Sequence, residues 1–66
     1  MKIGQKIKQL RTENNIPQKD LANKLNISQA LLSYYESDSR RPSYEVLVAI
    51  ADFFDTTTDY LLGRED

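Results

Sequence analysis

The sequence predicts an all-α fold of five short helices, and three observations carry that reading. Apolar residues recur at helical rather than alternating spacing, as in Ile3, Ile7 and Leu10, or Leu47, Ile50, Ala51 and Phe54. Good N-cap residues, Ser28, Ser43 and Thr56 or Thr57, stand just before such runs. Each run is followed by Asn, Asp or Gly, the residues that most readily turn a helix out through a left-handed conformation.

The first helix is expected from about Lys2 to Asn14, with Ile3, Ile7 and Leu10 on its inner face. Pro17 keeps Ile16 extended and separates it from a second helix over Gln18 to Leu25. Ser28 caps a third helix, Gln29 to Ser37. A polar loop, Asp38-Ser39-Arg40-Arg41-Pro42, leads to Ser43, which caps a fourth helix over Tyr44 to Phe54. A short fifth helix carries Tyr60, Leu61 and Leu62 and ends at Gly63, and Arg64-Glu65-Asp66 is expected to fray. Four inferred ends fall at Asn15, Asn26, Asp38 and Asp55. A non-glycine residue held left-handed stores a cost, so Asn26→Gly or Asp38→Gly is expected to raise stability by about 0.5–1 kcal/mol.

The segment 18–37 is the most informative. Leu21, Ala22 and Leu25 make one short apolar face, Asn26 interrupts it, and Leu32 and Tyr35 make the next. Two short helices joined by a three-residue turn read as a helix-turn-helix. Where two helices cross beside a tight turn the contact residue must be small, and Ala22 meets that need.

With 66 residues the chain is expected to form one domain over 1–66, with no room for a separate effector domain. Such a chain buries only about 60% of its unfolded surface. It has no cysteine to form a disulfide and no histidine, the commonest metal ligand. No long apolar run suggests a signal peptide or membrane span, and a cytoplasmic location is expected. The formal net charge of −1 conceals a split. Residues 1–41 hold eight Lys/Arg against four Asp/Glu, and residues 42–66 hold one Arg against six Asp/Glu. A polyanion would meet the basic portion, which contains the helix-turn-helix, although a chance division of solvated charge would look the same.

Several fragments in register resemble a known family. They are Ile3-Gly4-x-x-Ile7-x-x-Leu10-Arg11, Gln18-x-x-Leu21-Ala22-x-x-Leu25-x-Ile27-Ser28-Gln29, Tyr35-Glu36, Arg40-Arg41-Pro42-Ser43, Leu47 through Ile50-Ala51, and Asp59-Tyr60-Leu61-Leu62-Gly63. Together they look like the Cro/CI-type phage repressors, the XRE family of bacterial regulators, over residues 3–63. The resemblance implies a compact five-helix, lambda-repressor-like domain whose third helix enters the DNA major groove, usually as a dimer on a two-fold operator. The chain departs from the family in three ways. The glycines after the first three helices are replaced, Pro17 stands where a hydroxyl cap is usual, and Tyr34 stands where Arg, Lys or Gln is common.

On a wheel of 100° per residue, Leu32 and Tyr35 lie within about 40° of Ser28, with Leu31 at the border. Gln29, Ala30, Ser33, Tyr34 and Ser37 occupy the other arc. Such an arc could be an ordinary solvent face; the resemblance implies that it faces bases. Gln29 suits adenine N6/N7, Ala30 a thymine methyl, and Ser33 either a donor or an acceptor. Tyr34 can stack on a sugar or reach a phosphate through its hydroxyl. Gln18 begins the second helix, where free N–H groups favour an anion, and the family's matching Gln contacts phosphate and braces the Gln at position 29. Ser39, Arg40, Arg41 and Ser43 surround a loop suited to phosphate oxygens. Ser28 and Lys19 complete the expected DNA-binding set, with Lys24 weaker. Lys2, Lys6 and Lys8 read as the wet face of the first helix. The resemblance assigns Arg11 and Glu36 to a structural ion pair. Tyr44, Phe53, Tyr60 and Leu61 are either core or a dimer patch on the fourth and fifth helices.

The expected function is a DNA-binding transcriptional regulator, more often a repressor in this family, with double-stranded DNA and a second copy as partners. No cofactor, metal or small-molecule ligand is expected. The alternative is a protein-interaction or antitoxin-like module on the same fold, favoured by the acidic second half. An enzyme is not expected. There is no Gly-rich phosphate loop, and Asp52 and Asp55 read as surface charge.

Overall fold

The computed structural model describes residues 2–64. Their architecture is all-helical: α1 (Ile3–Glu13), α2 (Gln18–Leu25), α3 (Gln29–Glu36), α4 (Tyr44–Phe53) and α5 (Thr58–Leu61). Helices α1, α3 and α4 stop one residue short of the expected ends. Leu62 lies just beyond α5, and Thr57 rather than Thr56 is its cap. Of the expected frayed end, Glu65 and Asp66 lie outside the described residues.

Starts and stops follow from local chemistry. Ser28 Oγ accepts from the Leu31 N–H at 3.0 Å, Ser43 Oγ from Val46 at 3.2 Å, and Thr57 Oγ1 from Tyr60 at 3.0 Å. Each satisfies one N-terminal amide that the helix itself cannot. Pro17 starts α2 with no side-chain cap, its φ of −61° preset by the ring and its ψ of 147° extended. All five described helices end in the same way. Asn15, Asn26, Asp38 and Asp55 have φ of 57°, 59°, 63° and 54°, and Gly63 has 74°. Each donates its N–H to the carbonyl three residues back, and the next residue donates to the carbonyl five back, as in Asn15 to Thr12 and Ile16 to Arg11. This double bond pattern satisfies two carbonyls at each helix end, and it brings Ile16 and Ile27 back against the core.

Ile7, Leu21, Leu32, Ile50 and Leu61 are fully buried, joined by Ala22, Ala51 and Leu47. Every helix therefore contributes to one core. Helix α3 packs between α1 and α2, so its inner side is covered from both flanks and its outer side is left open. The approach of α1 to α3 depends on Gly4. A Cβ there would lie 2.2 Å from the Tyr35 carbonyl oxygen and 2.8 Å from that of Glu36. Among the described residues no helix is long and apolar enough to cross a membrane.

Two expectations need correction. Leu61 is wholly buried, so it cannot belong to an outer patch, whereas its neighbour Leu62 is exposed. Lys6 is not simply wet, because its Nζ sits 4.1 Å from the centre of the Tyr60 ring and ties α1 to α5. Tyr44 and Phe53 are exposed but nine residues apart on α4, which puts them about 180° apart around the helix. They do not form one surface.

Candidate nucleic-acid interface

The open side of α3 presents Gln29, Ala30, Ser33, Tyr34 and Ser37, all exposed. It carries no charge. The one acid of α3, Glu36, is turned inward and buried. There its carboxylate meets Arg11 of α1: Nε donates to Oε2 at 2.6 Å and a terminal guanidinium nitrogen donates to Oε1 at 3.0 Å. The other terminal nitrogen donates to the Ile16 carbonyl at 2.9 Å. One side chain thus joins α1, the α1–α2 turn and α3.

The same carboxylate reaches the surface through two amides. Gln18 Nε2 donates to Glu36 Oε1 at 3.2 Å, and Gln29 Nε2 donates to Gln18 Oε1 at 3.3 Å. The direction of this relay follows from chemistry. An ionised carboxylate only accepts, so Gln18 must turn its NH2 inward and its oxygen toward Gln29. Gln29 is then left with its own oxygen and one N–H for a partner. One acceptor beside one donor is the pattern that complements an adenine edge.

The loop after α3 adds cations. Arg40 and Arg41 are exposed there, Lys19 is exposed on α2, and Ser28, Ser39 and Ser43 are exposed too. The Oγ atoms of Ser28 and Ser43 already serve as caps, which leaves their O–H groups to donate outward. Ser37 donates to the Tyr34 carbonyl at 3.2 Å, and its Oγ lies 2.8 Å from that of Ser39. The Arg40 guanidinium lies 5.2 Å from the centre of the Tyr34 ring. Tyr34 is therefore half-exposed but not loose, because its ring carries the loop's first arginine. Sequence reasoning left Lys8 off this surface. It borders a groove shared with Arg11, Gln18, Ser33, Glu36 and Ser37. The signal was its spacing, since Lys8 lies one turn before Arg11 on the same face of α1. Among the described residues no group of acidic side chains could hold a metal ion.

The family described as Helix-turn-helix matches residues 7–61, which spans α2, its turn and α3 together with their supports. This chain belongs to the XRE-type helix-turn-helix family. It is 38% identical over 66 residues to the HTH-type transcriptional regulator ImmR of Bacillus subtilis, covering 100% of this chain and 52% of that protein. It is 45% identical over 60 residues to the HTH-type transcriptional regulator AnsR of the same organism, covering 91% of this chain and 52% of that one. The chain thus spans about half the length of these curated relatives. In structure it is similar to the P22 c2 repressor solved with a synthetic operator, with a TM-score of 0.91, 26% identity and 98% of each chain covered. The all-α fold is that of this repressor's DNA-binding domain.

Proposed function

We propose that this chain is a DNA-binding transcriptional regulator domain, acting as a repressor on a two-fold operator. The observation that carries the reading is the exposed, uncharged outer side of α3, held rigidly by the Arg11–Glu36–Gln18–Gln29 relay and flanked by Lys19, Arg40 and Arg41. Gln29 reads adenine through its remaining donor and acceptor, Ala30 lies against a thymine methyl, and Ser33 serves either hydrogen-bonding sense. Gln18, Ser28, Ser37, Ser39, Arg40, Arg41 and Ser43 bind the backbone, with Tyr34 offering its hydroxyl to a phosphate. Arg11 and Glu36 act through the relay rather than on DNA. The likeness to an operator-bound repressor supports the reading.

Size supports a second copy. The described residues extend 29 Å along their longest axis. Successive major grooves on one face of the duplex are about 34 Å apart, so one domain reads one groove and a two-fold site takes two. Phe53 of α4, exposed and edge-on to Phe54 at 5.0 Å between ring centres, offers an apolar contact to a partner copy. We place the protein in the cytoplasm and assign it no catalytic role.

Selection from random duplexes tests this reading. The expected yield is a short motif with two-fold symmetry, containing an adenine whose replacement costs the parent about 1–3 kcal/mol and costs Gln29→Ala almost nothing. An unenriched pool would overturn sequence-specific binding. Binding that ignores salt would point instead to a protein-interaction module, because phosphate contacts release counterions. Sedimentation with the selected site, showing one copy per symmetric duplex, would overturn the dimer.

A further inference from the structure

Asp38 holds an unusual pair of positions. Its backbone, at φ 63°, ends α3, and its N–H donates to the Tyr35 carbonyl at 3.1 Å. Its side chain reaches 34 residues back, where Oδ1 accepts from the Gly4 N–H at 2.9 Å. Gly4 is the second residue of α1, and its amide has no partner within the helix. The residue before α1 is Lys2, whose side chain can only donate. Gln5 Oε1 accepts from the Lys2 N–H at 3.2 Å, and Asp38 supplies from across the fold the acceptor for the Gly4 amide.

This arrangement is not the easiest way to end a helix. Glycine would adopt the left-handed turn without strain. A carboxylate in this loop also places negative charge beside Arg40 and Arg41, where it weakens their attraction to a polyanion. Lys2, Ile3, Asp38, Arg40, Arg41, Pro42 and Leu62 line one groove between the first turn of α1 and the loop. Beyond Asp38 the loop is fixed again: Ser39 and Arg40 both donate backbone N–H groups to the Tyr34 carbonyl, at 2.9 and 3.3 Å. Among the described residues, the carboxylate is thus the one side chain whose hydrogen bond joins the start of the loop to α1.

We propose that Asp38 is a positioning residue for DNA binding: by clamping the loop to the Gly4 amide it aims Arg40 and Arg41 at the backbone flanking α3. The clamp rests on the DNA-binding reading given above. Its chemistry has two separable parts. The hydrogen bond positions the arginines and strengthens binding, while the charge opposes phosphate and weakens it.

Asp38→Asn keeps an acceptor oxygen and removes the charge; Asp38→Gly removes both and relaxes the turn. The full chain is titrated with a random-sequence duplex over a range of salt, and Gly4 amide exchange is followed by NMR without DNA. Asp38→Gly is expected to raise Gly4 exchange at least about tenfold, through local opening of the first turn. It should also flatten the plot of log affinity against log salt by up to about 1.8, at about 0.9 for each phosphate that an arginine no longer neutralises. Asp38→Asn is expected to keep the parental slope and Gly4 protection and to bind severalfold more tightly. A purely structural role would lower the melting temperature of Asp38→Gly and leave the slope of its folded form unchanged, and that result would overturn the proposal. So would an Asp38→Asn variant that loses slope as fully as Asp38→Gly. A parent chain with no salt-dependent binding would overturn the DNA reading itself, and the loop's role with it.

Discussion

Replacing Arg11 by Met removes the guanidinium while keeping most of the apolar stem, and the structure sets the size of the loss. The pair is nearly dry, with side-chain exposures of 13% for Arg11 and 4% for Glu36. Three hydrogen bonds vanish: two to the carboxylate and one to the Ile16 carbonyl. Glu36 is left buried with only the Gln18 amide for company. Removing one partner of a buried pair costs about 3–5 kcal/mol, mostly because the remaining charge is uncompensated. A chain of 66 residues has a total stability of about 3–10 kcal/mol. Arg11→Met therefore consumes about a third of the stability or more. At about 4–8 °C per kcal/mol, the melt falls by at least about 12 °C. Far-UV circular dichroism against temperature, with urea titration alongside, measures it. Two controls sharpen the result. Adding Glu36→Gln to Arg11→Met removes the stranded charge and is expected to recover part of the loss. Raising salt should change the Arg11→Met deficit little, because a dry pair is poorly screened. A variant melting within about 4 °C of the parent, or a double variant no more stable than the single one, would refute the reasoning.

Two further outcomes follow from backbone geometry. Asn26 is exposed at φ 59° and ends α2, so Asn26→Gly should raise stability by about 0.5–1 kcal/mol in a urea titration. The same gain is no longer expected for Asp38→Gly, because relief of the turn is set against loss of the bond to Gly4. Gly4→Ala should cost at least about 2–3 kcal/mol, since the new Cβ would meet two backbone carbonyls that cannot rotate away. A thermal melt of Gly4→Ala matching the parent would show that α1 can slide on α3 freely.

What the sequence disclosed was local. Ser28, Ser43 and Thr57 mark helix starts because a cap acts on an amide only two or three residues away. Asn15, Asn26, Asp38 and Asp55 mark the ends because a short polar side chain tolerates the left-handed turn. The period of α3 was long enough to separate Leu32 and Tyr35 from Gln29, Ser33 and Tyr34. Helix α5 has only four residues, too few for a period to decide whether Leu61 or Leu62 turns inward. The Lys6–Tyr60 stack and the Asp38–Gly4 bond join residues 54 and 34 positions apart, and no pattern in the chain encodes them.

The outer side of α3 was legible for the same reason, and the resemblance supplied two links behind it, Arg11–Glu36 and Gln18–Gln29, but not the Gln18–Glu36 bond that joins them. Each member of the relay has an ordinary solvent-facing explanation when read singly, and only their distances reveal a shared carboxylate. That sharing has a consequence for evolution of specificity on this fold. Glu36 Oε2 is committed to Arg11, while Oε1 serves both Arg11 and Gln18. A change that loosens Glu36 therefore weakens the α1–α3 junction and frees the Gln18 amide to rotate. Gln29 would then lose its reason to present an acceptor and a donor in a fixed order. On the DNA-binding reading proposed above, stability and base reading are coupled through one side chain, whereas Ala30, Ser33 and Tyr34 stand outside the relay. Substitutions at Ala30 and Ser33 are then expected to alter base preference while leaving the melt nearly unchanged, and those at Arg11 or Glu36 are not.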